Sequence, residues 1–264
     1  MVGGAIDSIL KQTFPDFELI VVDDCSQDDT GKIVRSRADS RIRYFRHDSG
    51  RLIAVNRNFG MSLAEGEYIA FSDDDDLWLP EKLEIELAAF AGDGSIGMVC
   101  SDGILFNQAG DINVIYKGRF RDGFFTFDTI LKYDPVLTPS VLVKKAVIDG
   151  VGGMSTNPVF RVGEDYEYWL RISRKYKIRY LDLPLVKVRR HAGQLHMSGA
   201  TSTRHIRRIY RWLRDADYID GRRYWWLVLR MLAIELLWRT RTIRLASWLW
   251  WGPLKIFSRR TTSG

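Results

Sequence analysis

Along the first half of the chain, short apolar runs alternate with stretches whose apolar residues recur at helical spacing. Glu18-Leu19-Ile20-Val21-Val22 reads as a buried strand, Thr30 to Ala38 as a short helix and Ile42-Arg43-Tyr44-Phe45 as a second strand, together a βαβ unit. A further helix is predicted over Ile53 to Ala64, followed by a buried strand Tyr68-Ile69-Ala70-Phe71. Pro80-Glu81 opens the next helix, with proline in the first turn and acids near the positive end of the dipole. This alternation predicts an α/β fold with a mostly parallel central sheet flanked by helices. Residues 101 to 160 are richer in glycine, aromatics and short strand-like pieces, a mixed region expected to narrow a cleft. A helix from Gly163 to Tyr176, a strand from Ile178 to Val188 and a helical tail complete the pattern, with no internal repeat.

The chain has 264 residues, 46% of them hydrophobic, enough for one catalytic domain over residues 1–203 and an appendage over 204–264. The net charge of +6 is unevenly spread: residues 204–264 hold 14 Lys and Arg against 4 Asp and Glu, which leaves the first 203 residues at −4. Seven tryptophans lie in that tail: Trp212, Trp225, Trp226, Trp238, Trp248, Trp250 and Trp251. Aromatic rings interleaved with arginines on apolar helices suit a membrane surface with anionic lipid. Charges such as Arg230, Glu235 and Arg239 interrupt every apolar window, so the tail is expected to lie in the interface and not to span. The plainer alternative is that these helices pack on the catalytic core. Nucleic-acid binding is not expected, because the tail has no recognition motif and too many tryptophans on its apolar faces. Cys25 and Cys100 form neither a disulfide framework nor a metal-type spacing, and no basic-then-apolar leader opens the chain. The expected place is therefore the cytoplasm, peripheral on the inner face of the cell membrane.

The chemistry gathers at strand ends. Asp73-Asp74-Asp75-Asp76 follows the strand ending at Phe71 and precedes Leu77-Trp78-Leu79-Pro80. Adjacent carboxylates repel, and a hard divalent cation, Mn²⁺ or Mg²⁺, relieves that repulsion while bridging to substrate phosphates. Acidic loops also occur as solvated surface or helix caps, but acids pinned at the edge of a core are less often idle. Asp23-Asp24 ends an earlier strand on the same predicted edge, where acids can hold a ribose or a base. Glu164-Asp165 starts a helix; it is either a favourable charge pair at the dipole or a source of general base. Arg57, Arg189 and Arg190 can offset diphosphate charge or serve as surface charges. His191 can reach a metal or a diphosphate, though a lone histidine is more often structural.

Five segments, in this order and spacing, resemble the family 2 inverting glycosyltransferases with the GT-A fold. They are Gln12 to Ser26, Arg57-Asn58-Phe59-Gly60, Ala64 to Phe71, Asp73 to Leu83 with its Asp-Asp-Asp-Asp-Leu-Trp-Leu-Pro-Glu-Lys-Leu run, and Gly163-Glu164-Asp165-Tyr166-Glu167-Tyr168-Trp169-Leu170-Arg171. The resemblance covers roughly residues 5 to 200 and implies a role for each acid. Asp73 and Asp75 match the Asp-x-Asp motif, with Asp75 as the first choice for the metal and Asp73 and Asp74 beside the nucleotide sugar. Asp23 or Asp24 matches the acid that contacts the base, assisted by Arg57. Asp165 matches the catalytic base, with Glu164 beside it, and His191 a histidine after the last core strand.

The reaction so implied is sugar transfer from a nucleotide-sugar donor, a UDP-sugar by family habit. The acceptor would be a glycan or lipid-linked molecule, the configuration would invert, and the setting would be cell-surface polysaccharide synthesis. Family members also begin with a strand ahead of the first helix, and this chain starts inside that helix near Gly3-Gly4-Ala5-Ile6; a strand ahead of that point is the expectation. An inactive relative that organises a membrane assembly is the alternative. A phosphorelay receiver would need neither Gly163 to Arg171 nor the aromatic tail. A haloacid-type phosphatase is disfavoured by Leu77.

Overall fold

The computed structural model describes residues 1–190 and 199–239, so His191 lies outside the described residues. The chain divides into two compact units, Met1–Leu195 and His196–Gly264.

The first unit runs α1 (Val2–Leu10), β1 (Leu19–Asp23), α2 (Thr30–Arg35), β2 (Ile42–Arg46), α3 (Ile53–Leu63), β3 (Tyr68–Ala70), β4 (Leu77–Trp78) and α4 (Lys82–Ala88). It continues through β5 (Ile96–Asn107), β6 (Gly110–Val114), β7 (Gly123–Phe125), α5 (Phe127–Tyr133), β8 (Leu142–Lys144), α6 (Lys145–Val151), α7 (Glu164–Lys175) and β9 (Lys177–Arg189). Short 3-10 turns lie at Thr138–Ser140 and Pro158–Phe160. The expected βαβ unit is present: β1 and β2 pair in parallel, Leu19 opposite Ile42 and Asp23 opposite Arg46.

The remaining strands form a second sheet in the order β3-β8-β5-β9-β4, with β6 added to β5 and β7 to β9. The α/β class is as expected, but strand direction departs from the mostly parallel expectation. Among the described strands only β1–β2 and β5–β9 run parallel; β3–β8, β5–β8, β4–β9, β5–β6 and β7–β9 are antiparallel. Parallel neighbours need crossover connections; β5 and β6 are joined instead by a short turn ending at Gly110, φ 122°, and the other antiparallel pairs bring together strands distant in the chain.

The apolar centre includes Ile9, Trp78, Leu83, Phe90, Ile96, Val99, Leu142 and Val186, drawn from α1, α4 and the sheet. Against it lies a fully buried ion pair on α4. Lys82 Nζ donates to Glu86 Oε2 at 2.6 Å and sits 4.2 Å from the centre of the Trp78 ring. Both side chains are 0% exposed, and burial pushes the Glu86 carboxyl up to about 7 while Lys82 and Ser101 pull against it.

The second unit contains α8 (Gly199–Asp215) and α9 (Gly221–Arg239), which pack on each other. The connecting turn places Asp217 at φ 56°, and the Arg223 N–H donates to Asp220 Oδ1 at 2.7 Å, capping α9. Among the described residues, no helix is long and apolar enough to cross a membrane.

Candidate active site

The acidic run occupies the turn between β3 and β4, and the end of β9 holds it there. The backbone N–H of Arg189 donates to Asp76 Oδ1 at 2.8 Å, and Arg189 Nε donates to the Asp75 carbonyl at 2.7 Å. The Arg189 guanidinium also stands over the Phe106 ring, 4.4 Å from its centre. Arg189 is therefore a support for the acidic loop. Asp76 faces inward, and burial pushes its carboxyl up to about 7 against the Arg189 N–H. The other three acids remain towards solvent. Desolvation, and then the like charges of Asp75 and Asp73, push the Asp74 carboxyl up.

Arg57 joins this loop to the second acidic pair. It projects from α3, its side chain only 15% exposed, and its two arms diverge. Nη2 donates to Asp73 Oδ1 at 2.8 Å and Nη1 to Glu164 Oε1 at 3.0 Å. Burial works against its charge, and the surrounding Asp73, Asp165 and Glu164 more than restore it. Neighbouring Asn58 fixes the helix to the loop before α7, exchanging hydrogen bonds with the Met154 carbonyl at 2.8 Å and the Met154 N–H at 2.7 Å.

Helix α7 begins after Gly163, whose φ of 88° suits glycine, and its first turn carries Glu164, Asp165 and Glu167 at the positive end of the dipole. Glu164 is buried; burial and then Asp165 push its carboxyl up, and Arg57 pulls it back. Asp165 stays partly open. Its two oxygens are held separately: Oδ1 accepts the Tyr166 N–H at 2.8 Å, and Oδ2 accepts the Thr138 hydroxyl at 2.7 Å. Asp134, at the left-handed end of α5, is near enough to feel both carboxylates.

Asp23 and Asp24, equivalent in sequence, separate in space. Asp23 is buried, accepting from the Ser26 N–H at 2.9 Å and from Tyr44 Oη at 2.6 Å. Asp24 is exposed, and its Oδ1 accepts the Ser49 N–H at 2.8 Å. Of the two, Asp24 is the one open to solvent. In the same region His47 stacks on Phe59 with ring centres 4.2 Å apart, its Nδ1 2.7 Å from Asn56 Oδ1.

Among the described residues, no three acidic, histidine or cysteine side chains gather at metal-binding spacing. Asp73 and Asp75 still fit a hard cation, because Mg²⁺ is commonly held by one or two carboxylates and completes its shell with water and substrate phosphate. The like charges that raise Asp74 are the repulsion such an ion relieves. Thr138, Tyr44 and the supporting role of Arg189 had no sequence signal, since each acts through a contact between distant segments.

The model of glycosyl transferase family 2 matches residues 1–133. An uncharacterized glycosyltransferase of Rickettsia felis is 32% identical over 211 residues, covering 75% of this chain and 31% of that protein, so the chain spans about a third of that relative's length. The Escherichia coli protein UDP-Glc:alpha-D-GlcNAc-diphosphoundecaprenol beta-1,3-glucosyltransferase WfaP is 27% identical over 198 residues, 72% of each chain. Among solved structures, S. aureus TarS 1-349 in complex with UDP-GlcNAc superposes with a TM-score of 0.66 at 22% identity, covering 92% of this chain and 71% of that one. The chain belongs to glycosyl transferase family 2 and has the GT-A fold.

Proposed function

We propose that this protein transfers a sugar from a nucleotide-sugar donor, a UDP-sugar first, to a hydroxyl of a glycan or lipid-linked acceptor, with inversion, in cell-surface polysaccharide synthesis. The observation that carries the reading is the Arg57 bridge, which brings the Asp73–Asp76 loop and the Glu164-Asp165 pair to one place. The WfaP relative, named for a UDP-Glc donor and a diphosphoundecaprenol acceptor, and the TarS complex with UDP-GlcNAc support the donor and acceptor classes.

In this reading Asp24 contacts the nucleotide base, Asp23 supports the turn beneath it, and Asp73, Asp74 and Arg57 line the ribose and diphosphate. His191 lies beyond the described residues. Mn²⁺ or Mg²⁺ held by Asp75 and Asp73 would neutralise charge on the departing diphosphate. Asp165 takes the proton from the acceptor hydroxyl as its oxygen attacks the anomeric carbon. In that one displacement the bond to the diphosphate breaks, and the nucleoside diphosphate leaves from the opposite face. Glu164 holds Arg57 beside Asp165. The basic, tryptophan-rich second unit would bring the enzyme to the cytoplasmic membrane surface, where a lipid-linked acceptor resides.

Calorimetric titration with UDP, with and without Mn²⁺, tests the donor site. Metal-dependent binding that disappears in Asp75→Ala is expected. Binding that ignores both the metal and Asp75 would refute the assignment.

A further inference from the structure

Helix α9 has two apolar sides. Tyr224, Leu227, Val228, Met231 and Ile234 are buried on one side, where α8 contributes Ile209, Tyr210 and Leu213 to the interior of the unit. A helix that buries one side should carry polar residues on the other. Instead, Trp225, Trp226, Leu229, Leu232 and Leu236 are between 41% and 63% exposed, five of the ten large apolar side chains that are exposed among the described residues. At about 100° per residue, Trp225, Leu229, Leu232 and Leu236 fall within an arc of about 60°, and the row is about 16 Å long.

We infer that this outer face of α9, and not α8, is the lipid-contacting surface, lying shallowly in the interface of an anionic membrane. The inference rests on the membrane-surface reading above and narrows it to one helix and one face. Charge selects the occupant. Residues 199–239 carry nine arginines and four acids, a net charge of +5 that repels a second copy and attracts acidic lipid. Exposed Arg222 lies one turn before the tryptophans, and Arg230 stands 5.8 Å from the centre of the Trp226 ring, the pairing of ring and cation that suits headgroup depth. α8 instead directs Arg207, Arg208 and Arg211 outward to solvent.

The test is flotation of the full chain with vesicles containing phosphatidylglycerol, beside pure phosphatidylcholine. Wild type is expected to float with the first and to shift its tryptophan emission to the blue. Leu229→Glu and the milder Leu229→Gln should weaken partitioning about tenfold or more, with melting temperature unchanged. Arg208→Glu should weaken it far less. Failure of wild type to float sinks the membrane reading itself. Flotation of wild type and both Leu229 variants alike overturns the assignment of this face alone, as does a solution dimer that either Leu229 variant converts to monomer without changing flotation. None of these outcomes depends on the donor site.

Discussion

Replacing Thr138 with valine removes one atom's worth of chemistry at nearly constant shape. Thr138 is 6% exposed, and its hydroxyl donates to Asp165 Oδ2 at 2.7 Å. It starts a 3-10 turn whose Ser140 hydroxyl both donates to the Leu137 carbonyl at 2.8 Å and accepts the Ser101 N–H of β5 at 3.2 Å, so the turn is fixed to the sheet. A hydrogen bond to a charged group contributes about 1.5–3 kcal/mol. Asp165 is partly open, so water replaces some of that loss, and the low end applies. The remaining effect is on aim: without Thr138 only the Tyr166 N–H constrains the carboxylate, and a base must be held closely to take a proton in the transition state. Thr138→Val should therefore lower kcat by about tenfold, the equivalent of about 1.4 kcal/mol, and leave KM for the nucleotide sugar unchanged. Thr138→Ser should restore most of it. Asp165→Asn sets the scale, with a loss of about 10² to 10⁴ expected for a missing general base. The assay is release of nucleoside diphosphate in the presence of acceptor, with circular dichroism to check folding. A folded Thr138→Val enzyme with kcat within twofold of wild type would refute the orientation argument, and near-normal kcat in Asp165→Asn would refute the choice of base.

Two further substitutions probe the buried charges. Arg57→Met strands Glu164, and a broken buried pair costs about 3–5 kcal/mol; because Glu164 is already pushed towards its neutral form it takes up a proton, and the loss in urea denaturation should be about 2–3 kcal/mol. Arg57→Lys should recover part of the stability but little donor affinity, since an ammonium cannot serve two diverging acceptors; a loss in Arg57→Met below about 1 kcal/mol would contradict the bridge. Lys82→Met/Glu86→Leu replaces a dry ion pair by apolar groups and should be neutral or stabilising at pH 7.5. The sign follows from Glu86: its folded carboxyl, at about 7, lies above the ordinary value of 4.5, so the folded state binds more protons between those values and wild-type stability falls as pH rises through that window. The double variant should flatten that slope in melts at pH 5 and 7.5, and an unchanged slope would show that Glu86 does not titrate as its burial requires.

Much of this site was legible because the sequence writes it locally. Asp73–Asp76 is contiguous, follows an apolar run and precedes Trp78, so its place at a strand end needed no tertiary knowledge. Gly163-Glu164-Asp165 likewise announces a helix start by glycine followed by acids. Contacts between segments were not legible. Nothing in Thr138 says that it meets a residue 27 positions later, and nothing in Asp23-Asp24 says which side chain turns inward; Tyr44, on the neighbouring strand, decides it. Charge alone leaves Arg189 open between a diphosphate partner and a surface charge, whereas the parallel β5–β9 pair carries it over Phe106 and onto the acidic loop. Strand direction is not legible for a related reason: apolar runs look alike in either direction, and pairs such as β3–β8 and β4–β9 join strands far apart in the chain.

The Arg57 bridge also constrains how the two halves of the site can move. Each guanidinium arm holds a carboxylate from a different segment, Asp73 on the loop before β4 and Glu164 at the start of α7. The two arms are unequal. Asp73 is 41% exposed on its side chain, so water readily replaces Arg57 there, whereas Glu164 is 5% exposed and has no such substitute. Drawing Asp73 towards a cation would therefore cost little, while separating Arg57 from Glu164 would leave a carboxylate uncompensated beside Asp165. Arg57 should stay with α7 when the donor loop rearranges, keeping a positive charge next to the base pair throughout. This predicts that donor binding in Arg57→Met and in Asp75→Ala fails for different reasons, the first through the lost guanidinium together with a loosened start of α7 and the second through the diphosphate alone. Amide exchange in the first turn of α7 separates them: it should accelerate in Arg57→Met and stay slow in Asp75→Ala, and equal exchange in the two would break the link drawn here between Arg57 and the base.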